Sequence, residues 1–148
     1  MAQTLAQKRA KHALAQILAL VELEEQKKGN KPNAHGCGNY LAFVKSLPAT
    51  IILSGLGQAM AMEKAGSSKD GDVGLGHEYL YAHMNDWLCG NGNGSWQHSC
   101  YKDKTDILDA ITSGDERDYV KAQIEAIEYL EWLKKFAVAH LINDKKGT

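Results

Sequence analysis

Between Ser46 and Met62 the chain carries no charged residue, although 24% of the whole sequence is Asp, Glu, Lys or Arg. Pro48 suits the first turn of a helix here, because its missing N–H costs nothing at that position. The continuation Ala49-Thr50-Ile51-Ile52-Leu53-Ser54-Gly55-Leu56-Gly57-Gln58-Ala59-Met60-Ala61-Met62 is apolar nearly all round. A helix of that kind is normally enclosed by others at the centre of a bundle. It is too short and too interrupted to cross a bilayer, which takes about 20 mostly apolar residues. Gly55 and Gly57 weaken a helix, so their use is to let a neighbouring helix pack close.

The segments on either side keep helical periodicity. Ala6, Ala10, Ala13, Ile17 and Leu20, joined by Leu14 and Val21, put an apolar stripe on a helix from about Thr4 to Lys28. Gly29-Asn30 and then Pro32 end it. A loop from Asn30 to Gly38 and a short helix from about Asn39 to Lys45 follow. Beyond the uncharged run, a helix over about His77 to Leu88 presents Leu80, Met84, Trp87 and Leu88, and Asp106 to Ile111 forms another short one. Ser113 with Glu116 makes a capping-box pattern. Tyr119, Ala122, Ala126, Tyr129, Leu133 and Phe136 then continue at helical spacing to about Ile142, with Ile124, Ile127, Leu130, Trp132 and Leu141 widening the apolar surface. The Gly-rich stretches 66–76 and 90–104 read as flexible loops. With two prolines in 148 residues and more Ala and Leu than Val and Ile, the expected fold is all-α. It is a single domain over residues 1–148, a bundle of about five or six helices.

Charge is unevenly shared. Residues 1–45 hold seven Lys/Arg against three Asp/Glu (+4), and residues 63–118 hold five against eleven (−6). One face is thereby suited to polyanions and another to something basic, although a solvated surface produces the same gradient. No N-terminal targeting signal is visible, and three scattered cysteines, Cys37, Cys89 and Cys100, argue against a secreted disulfide framework. A cytoplasmic location is expected.

Catalytic motifs fail on spacing. His77-Glu78 begins like a zinc protease, but the next histidine is His83, about 600° of helical rotation away where i+4 is required. Neither Gly55-Leu56-Gly57 nor the glycines of 71–76 complete a dinucleotide or phosphate loop. Ser54 has no histidine near it in sequence. The acids from Asp103 to Asp118 suit helix starts, with no calcium-loop pattern. Cys89, His98 and Cys100, with His83 or His35, offer a conceivable zinc set without a Cys-x-x-Cys pair; with His83 it supports an alternative reading as a small metal-dependent enzyme. His12 and His140 read as packing or surface residues. No cofactor or metal is expected. Lys8, Arg9 and Lys11 on the first helix and Lys121, Lys134 and Lys135 on the last form a basic strip if those helices lie side by side.

Two segments resemble a known family. Leu47-Pro48-Ala49-Thr50-Ile51 through Gly55-Leu56-Gly57-Gln58 is similar to the LP-x-x-I-x-x-x-G-L-x-Q segment of the small α-helical subunit of the type III-B CRISPR effector, the Cmr RNA-silencing complex. Tyr119 through Ala137, with Glu125-Ala126, Leu130, Trp132-Leu133-Lys134-Lys135-Phe136, is similar to its C-terminal helix, Lys135 standing for the usual arginine. Arg9-Ala10 on the first helix agrees. The resemblance implies about six helices, no catalytic activity, and several copies stacked as a filament along the crRNA-bearing backbone. It implies the other Cmr subunits (backbone and large subunit), crRNA and target RNA as partners, and no membrane. Carried over by position, Lys8, Arg9, Lys121, Lys134 and Lys135 would contact RNA, while Glu125, Trp132 and Phe136 would pack. A protein-only adaptor is the other alternative.

Overall fold

The computed structural model describes residues 2–28, 35–90, 100–101 and 104–141, and among them every regular element is a helix. Their order is α1 (Leu5–Lys28), α2 (His35–Ser54), α3 (Leu56–Gly66), α4 (Gly71–Cys89), α5 (Ile107–Ser113) and α6 (Glu116–His140). All six contribute to one cluster of buried residues, with Trp87, Tyr40, Tyr129, Ile17, Leu47, Ile51 and Leu56 among its largest fully enclosed side chains. The expected all-α bundle is present, with six helices among the described residues. No described helix is long and apolar enough to cross a membrane.

α1 begins where expected, and its start is fixed by a reciprocal pair. Gln7 N–H donates to Thr4 Oγ1 (3.1 Å), and Thr4 N–H donates to Gln7 Oε1 (2.8 Å). This is a capping box built on glutamine, satisfying two of the donors a helix start leaves open. The box expected at Ser113 and Glu116 does not form. Asp115 caps α6 instead, accepting from Asp118 N–H at 2.8 Å, while Ser113 ends α5 with its hydroxyl on the Asp109 carbonyl.

The uncharged run departs most from expectation. Pro48 lies inside α2, which starts at His35 and runs as one helix to Ser54. Of the expected loop from Asn30 to Gly38, residues 35–38 are thus helical and 30–34 lie outside the described residues, and the expected break before Pro48 is replaced by helix. Tyr40, Val44, Leu47 and Ile51 form a buried stripe that passes straight across the proline. Burial of that stripe outweighs the propensity cost of an interior proline, about 3 kcal/mol. The break comes at Gly55 instead, whose φ of +89° and ψ of 157° are open in practice to glycine alone. A Cβ there would also stand 3.0 Å from Tyr119 Oη. The run is therefore two helices meeting at an elbow, and it is not enclosed. Ile52 and Leu53 are 69% and 85% exposed, and Met62 is exposed too.

The first of the two expected loops, 66–76, is mostly helix. Residues 67–70 form a tight turn, and α4 begins at Gly71, six residues before His77. Gly76 allows the helix to seat on α2: a Cβ there would lie 3.0 Å from Asn39 Cβ, a Phe43 ring carbon and the Tyr40 nitrogen. Most of the second loop, 90–104, lies outside the described residues; its first residue, Gly90, closes α4 in the left-handed conformation.

Candidate nucleic-acid interface

α1 and α6, the first and last helices, lie side by side as the basic strip requires. Arg9 pairs with Glu125 and His12 with Tyr129, so contacts advance along both helices together and the two run parallel. This seam is polar at its centre. Arg9 Nε and Nη2 donate to the two Glu125 oxygens at 2.6 and 2.9 Å, and Trp87 Nε1 from α4 donates to the same carboxylate at 2.8 Å. The Arg9 and Glu125 side chains are only 15% and 12% exposed. A two-pronged guanidinium–carboxylate contact is the strong form of the pair. It joins three helices at one carboxylate.

A turn further along, His12 bridges Tyr129 Oη through Nδ1 (2.6 Å) and Asp86 Oδ2 through Nε2 (2.6 Å). Its ring meets Trp87 and Tyr129, which stack on each other with centroids 5.2 Å apart. His83 is enclosed beside them with Nδ1 on Tyr40 Oη at 2.7 Å. Burial pushes the His83 imidazole down to about 3, and His12 adds to the shift. His77 stacks on Phe43 and bonds Glu63 at 2.7 Å, whose carboxyl burial pushes up. His12, His77 and His83 are therefore structural, each with its partners supplied by the bundle.

The five cations expected to contact RNA do not share one environment. Arg9 is turned into the seam and its charge is met by Glu125. Lys8 is half-buried next to it. Lys121, one turn before Glu125 on α6, is exposed, with no ion pair among the described residues. Lys134 and Lys135 both reach Glu131, at 3.9 and 3.4 Å. Lys135 is 14 positions beyond Lys121, so the two lie within about 40° of each other around the helix and about 21 Å apart along it. Lys134 points off that stripe. Arg117, four residues before Lys121 and exposed, belongs to the same stripe and was missed because no family motif marked it; its i, i+4 spacing to Lys121 is the signal that finds it. Glu128 and Glu131 interrupt the stripe, and exposed Val120, Ile124 and Val138 line it. The surface is mixed: cationic points set among apolar side chains, over a rigid seam.

That apolar component joins the elbow of the uncharged run. Gln123 Oε1 accepts from Leu56 N–H at 2.9 Å, and Tyr119 Oη accepts from Gly57 N–H at 3.0 Å. α6 thus caps the open start of α3, and Val120 and Ile124 stand next to these two residues in sequence. Trp132 and Phe136 pack partly against the core with their rings stacked, as expected for packing residues.

The alternative zinc set does not assemble from what is described. His83 Nδ1 is committed to Tyr40, Cys89 is enclosed, and His98 lies outside the described residues. Among the described residues no group of three His, Cys, Asp or Glu side chains could hold a metal ion.

Comparison with known proteins agrees with the architecture. The model of the family described as CRISPR-associated protein (Cas_Cmr5) matches residues 5–140, from the first residue of α1 to the last of α6. The structure is similar to the crystal structure of a CRISPR-associated Cmr5 family protein from Thermus thermophilus. The TM-score is 0.62 at 22% identity, covering 95% of this chain and 100% of that one. At that identity the likeness speaks for the shared fold.

Proposed function

This chain belongs to the CRISPR-associated Cas_Cmr5 family and is a subunit of a Cmr complex; from that premise we propose that it is a non-catalytic structural subunit that helps assemble the filament and hold target RNA. The observation that carries the proposal is the stripe on α6, where cations and apolar side chains alternate on a seam braced by Arg9 and Glu125. Lysine and arginine contacts to phosphates need no particular sequence, which suits a subunit that must accept any target. Lys8, Arg9, Lys121, Lys134 and Lys135 remain the candidate contacts, with Lys121 and Lys135 the most accessible by position and Arg117 joining them. Arg9 acts chiefly by holding α1 against α6, so its part in RNA binding is to position Lys8.

Assembly draws on the elbow. Leu53 and Ile52 are exposed beyond what a free surface gains from, and Ile124 at 59% exposure adds to them. Contact with backbone or large subunits, or with a second copy along the filament, would cover these side chains. The test is recovery of the tagged protein from its native host, with sequencing of bound RNA. Guide RNA together with large companion proteins is the expected result. Companions without RNA would leave a protein-only adaptor, and recovery of neither would overturn the proposal.

A further inference from the structure

The cysteines are scattered in sequence, yet the fold returns two of them to one place. α4 ends at Cys89, and Gly90 turns the chain with φ of +68°. The backbone then comes back to the same helix end, where Tyr101 N–H donates to the Leu88 carbonyl at 2.9 Å. The residues flanking that hydrogen bond on the inside are Cys89 and Cys100. Bond lengths on either side of it hold their Cα atoms within about 9 Å, and a disulfide spans about 4.4–6.8 Å. Cys89 is fully enclosed and Cys100 half-buried, so one thiol is guarded and the other is reachable. The two also sense each other: burial pushes the Cys89 thiol up to about 12, and Cys100 adds to the effect.

We propose that Cys89 and Cys100 form a reversible disulfide when the protein meets a low-molecular-weight disulfide such as glutathione disulfide. Cys100 gives up its proton and its sulfur attacks one sulfur of glutathione disulfide. The S–S bond breaks, and the departing glutathione takes the electron pair and a proton. Cys89 then attacks the Cys100 sulfur and displaces the second glutathione in the same way. Two protein thiols are oxidised by two electrons, and one glutathione disulfide becomes two thiols.

Two consequences follow. Burial, aided by Glu125, pushes the Cys100 thiol up to about 11. Its thiolate is scarce at neutral pH, so exchange is slow there and quickens about tenfold per pH unit. The bridge also closes a ring over residues 89–100 and pins Cys100 beside the head of the α1–α6 seam, where Glu125, Lys121 and Arg9 act on it. A closed loop of this size raises Tm by about 5–10 °C in a chain of this length.

The experiment uses the reduced full chain, incubated with glutathione disulfide at neutral and mildly alkaline pH. Remaining thiols are alkylated after unfolding and mapped by mass spectrometry. The expected product joins the Cys89 and Cys100 peptides with loss of two hydrogens and leaves Cys37 alkylated. Its Tm is raised and returns on treatment with dithiothreitol, and C100S, a change at a half-buried position, shows neither effect. A mixed glutathione adduct that stays on Cys100, or a bridge to Cys37, or two thiols that remain alkylatable at either pH, would overturn the inference. None of these readouts depends on the CRISPR role.

Discussion

Replacing Glu125 with alanine is the sharpest test of the seam. The carboxylate accepts three hydrogen bonds, from Arg9 Nε, Arg9 Nη2 and Trp87 Nε1, at 2.6, 2.9 and 2.8 Å. Truncation strands a guanidinium in a place where it is 15% exposed and leaves an indole N–H without its acceptor. Removing one partner of a buried pair costs about 3–5 kcal/mol, and an unpaired buried donor about 1–3. Partial exposure lets Arg9 recover some water, so the lower end applies: about 3 kcal/mol, or a fall in Tm of about 6–12 °C. Thermal unfolding followed by circular dichroism reads this directly. Arg9→Met should cost a similar amount by leaving the carboxylate with the indole alone. The double variant Arg9→Met with Glu125→Leu should lose clearly less than the two singles summed, because neither charge is then stranded. A drop under about 2 °C for Glu125→Ala, or simple additivity, would show that the pair is an ordinary surface contact and that something else holds α1 to α6.

Gly55→Ala should destabilise by about 1–3 kcal/mol in urea unfolding, since φ of +89° with an extended ψ excludes a Cβ and Tyr119 Oη already occupies its space. His83 stays neutral in the fold, at about 3 against an ordinary 6.5, among Tyr40, His12 and Asp86. As pH falls below about 6.5 the unfolded chain binds the proton first. Stability attributable to His83 is therefore complete above that value and declines by up to about 1.4 kcal/mol per pH unit toward about 3. His83→Gln should show a shallower acid dependence than the parent in urea unfolding at a series of pH values. Lys121→Glu with Lys135→Glu should leave Tm nearly unchanged, because the exposed contact of Lys135 to Glu131 is worth little. In the reconstituted complex it should lower the slope of log affinity against log salt by about 1.4, two single-strand phosphate contacts. Leu53→Asp should keep the unfolding free energy within about 0.5 kcal/mol while reducing recovery of companion subunits, since Leu53 is 85% exposed.

Periodicity makes the fold class and the long helices legible, because burying a stripe is a local property of sequence. The last helix shows it: spacing alone places Ala122, Ala126, Tyr129 and Leu133 inside, and all are fully enclosed. The errors occur where a tertiary partner overrides a local rule. Pro48 signals a helix start by itself, but the stripe from Tyr40 to Ile51 continues through it. The uncharged run resembles a central helix because nothing in one dimension separates apolar residues that face a core from those that face a partner. Gly71, Gly74 and Gly76 resemble a loop in sequence, yet all three lie in α4, where Gly76 packs close on α2 and Gly74 on the backbone of the preceding turn.

The basic strip shows the same limit at the site itself. Lysine and arginine can be counted, and the side-by-side placement of the terminal helices is a condition that the structure meets. The direction Arg9 points is not readable, because it is set by an acid 116 positions away in the chain. Glu125 takes Arg9 out of the surface and in doing so fixes which neighbours remain on it. A carboxylate assigned to packing therefore decides the composition of the candidate RNA face. That coupling argues for varying Glu125 and Lys121 together: the first holds the seam in place, and the second is a cation that the seam presents to solvent.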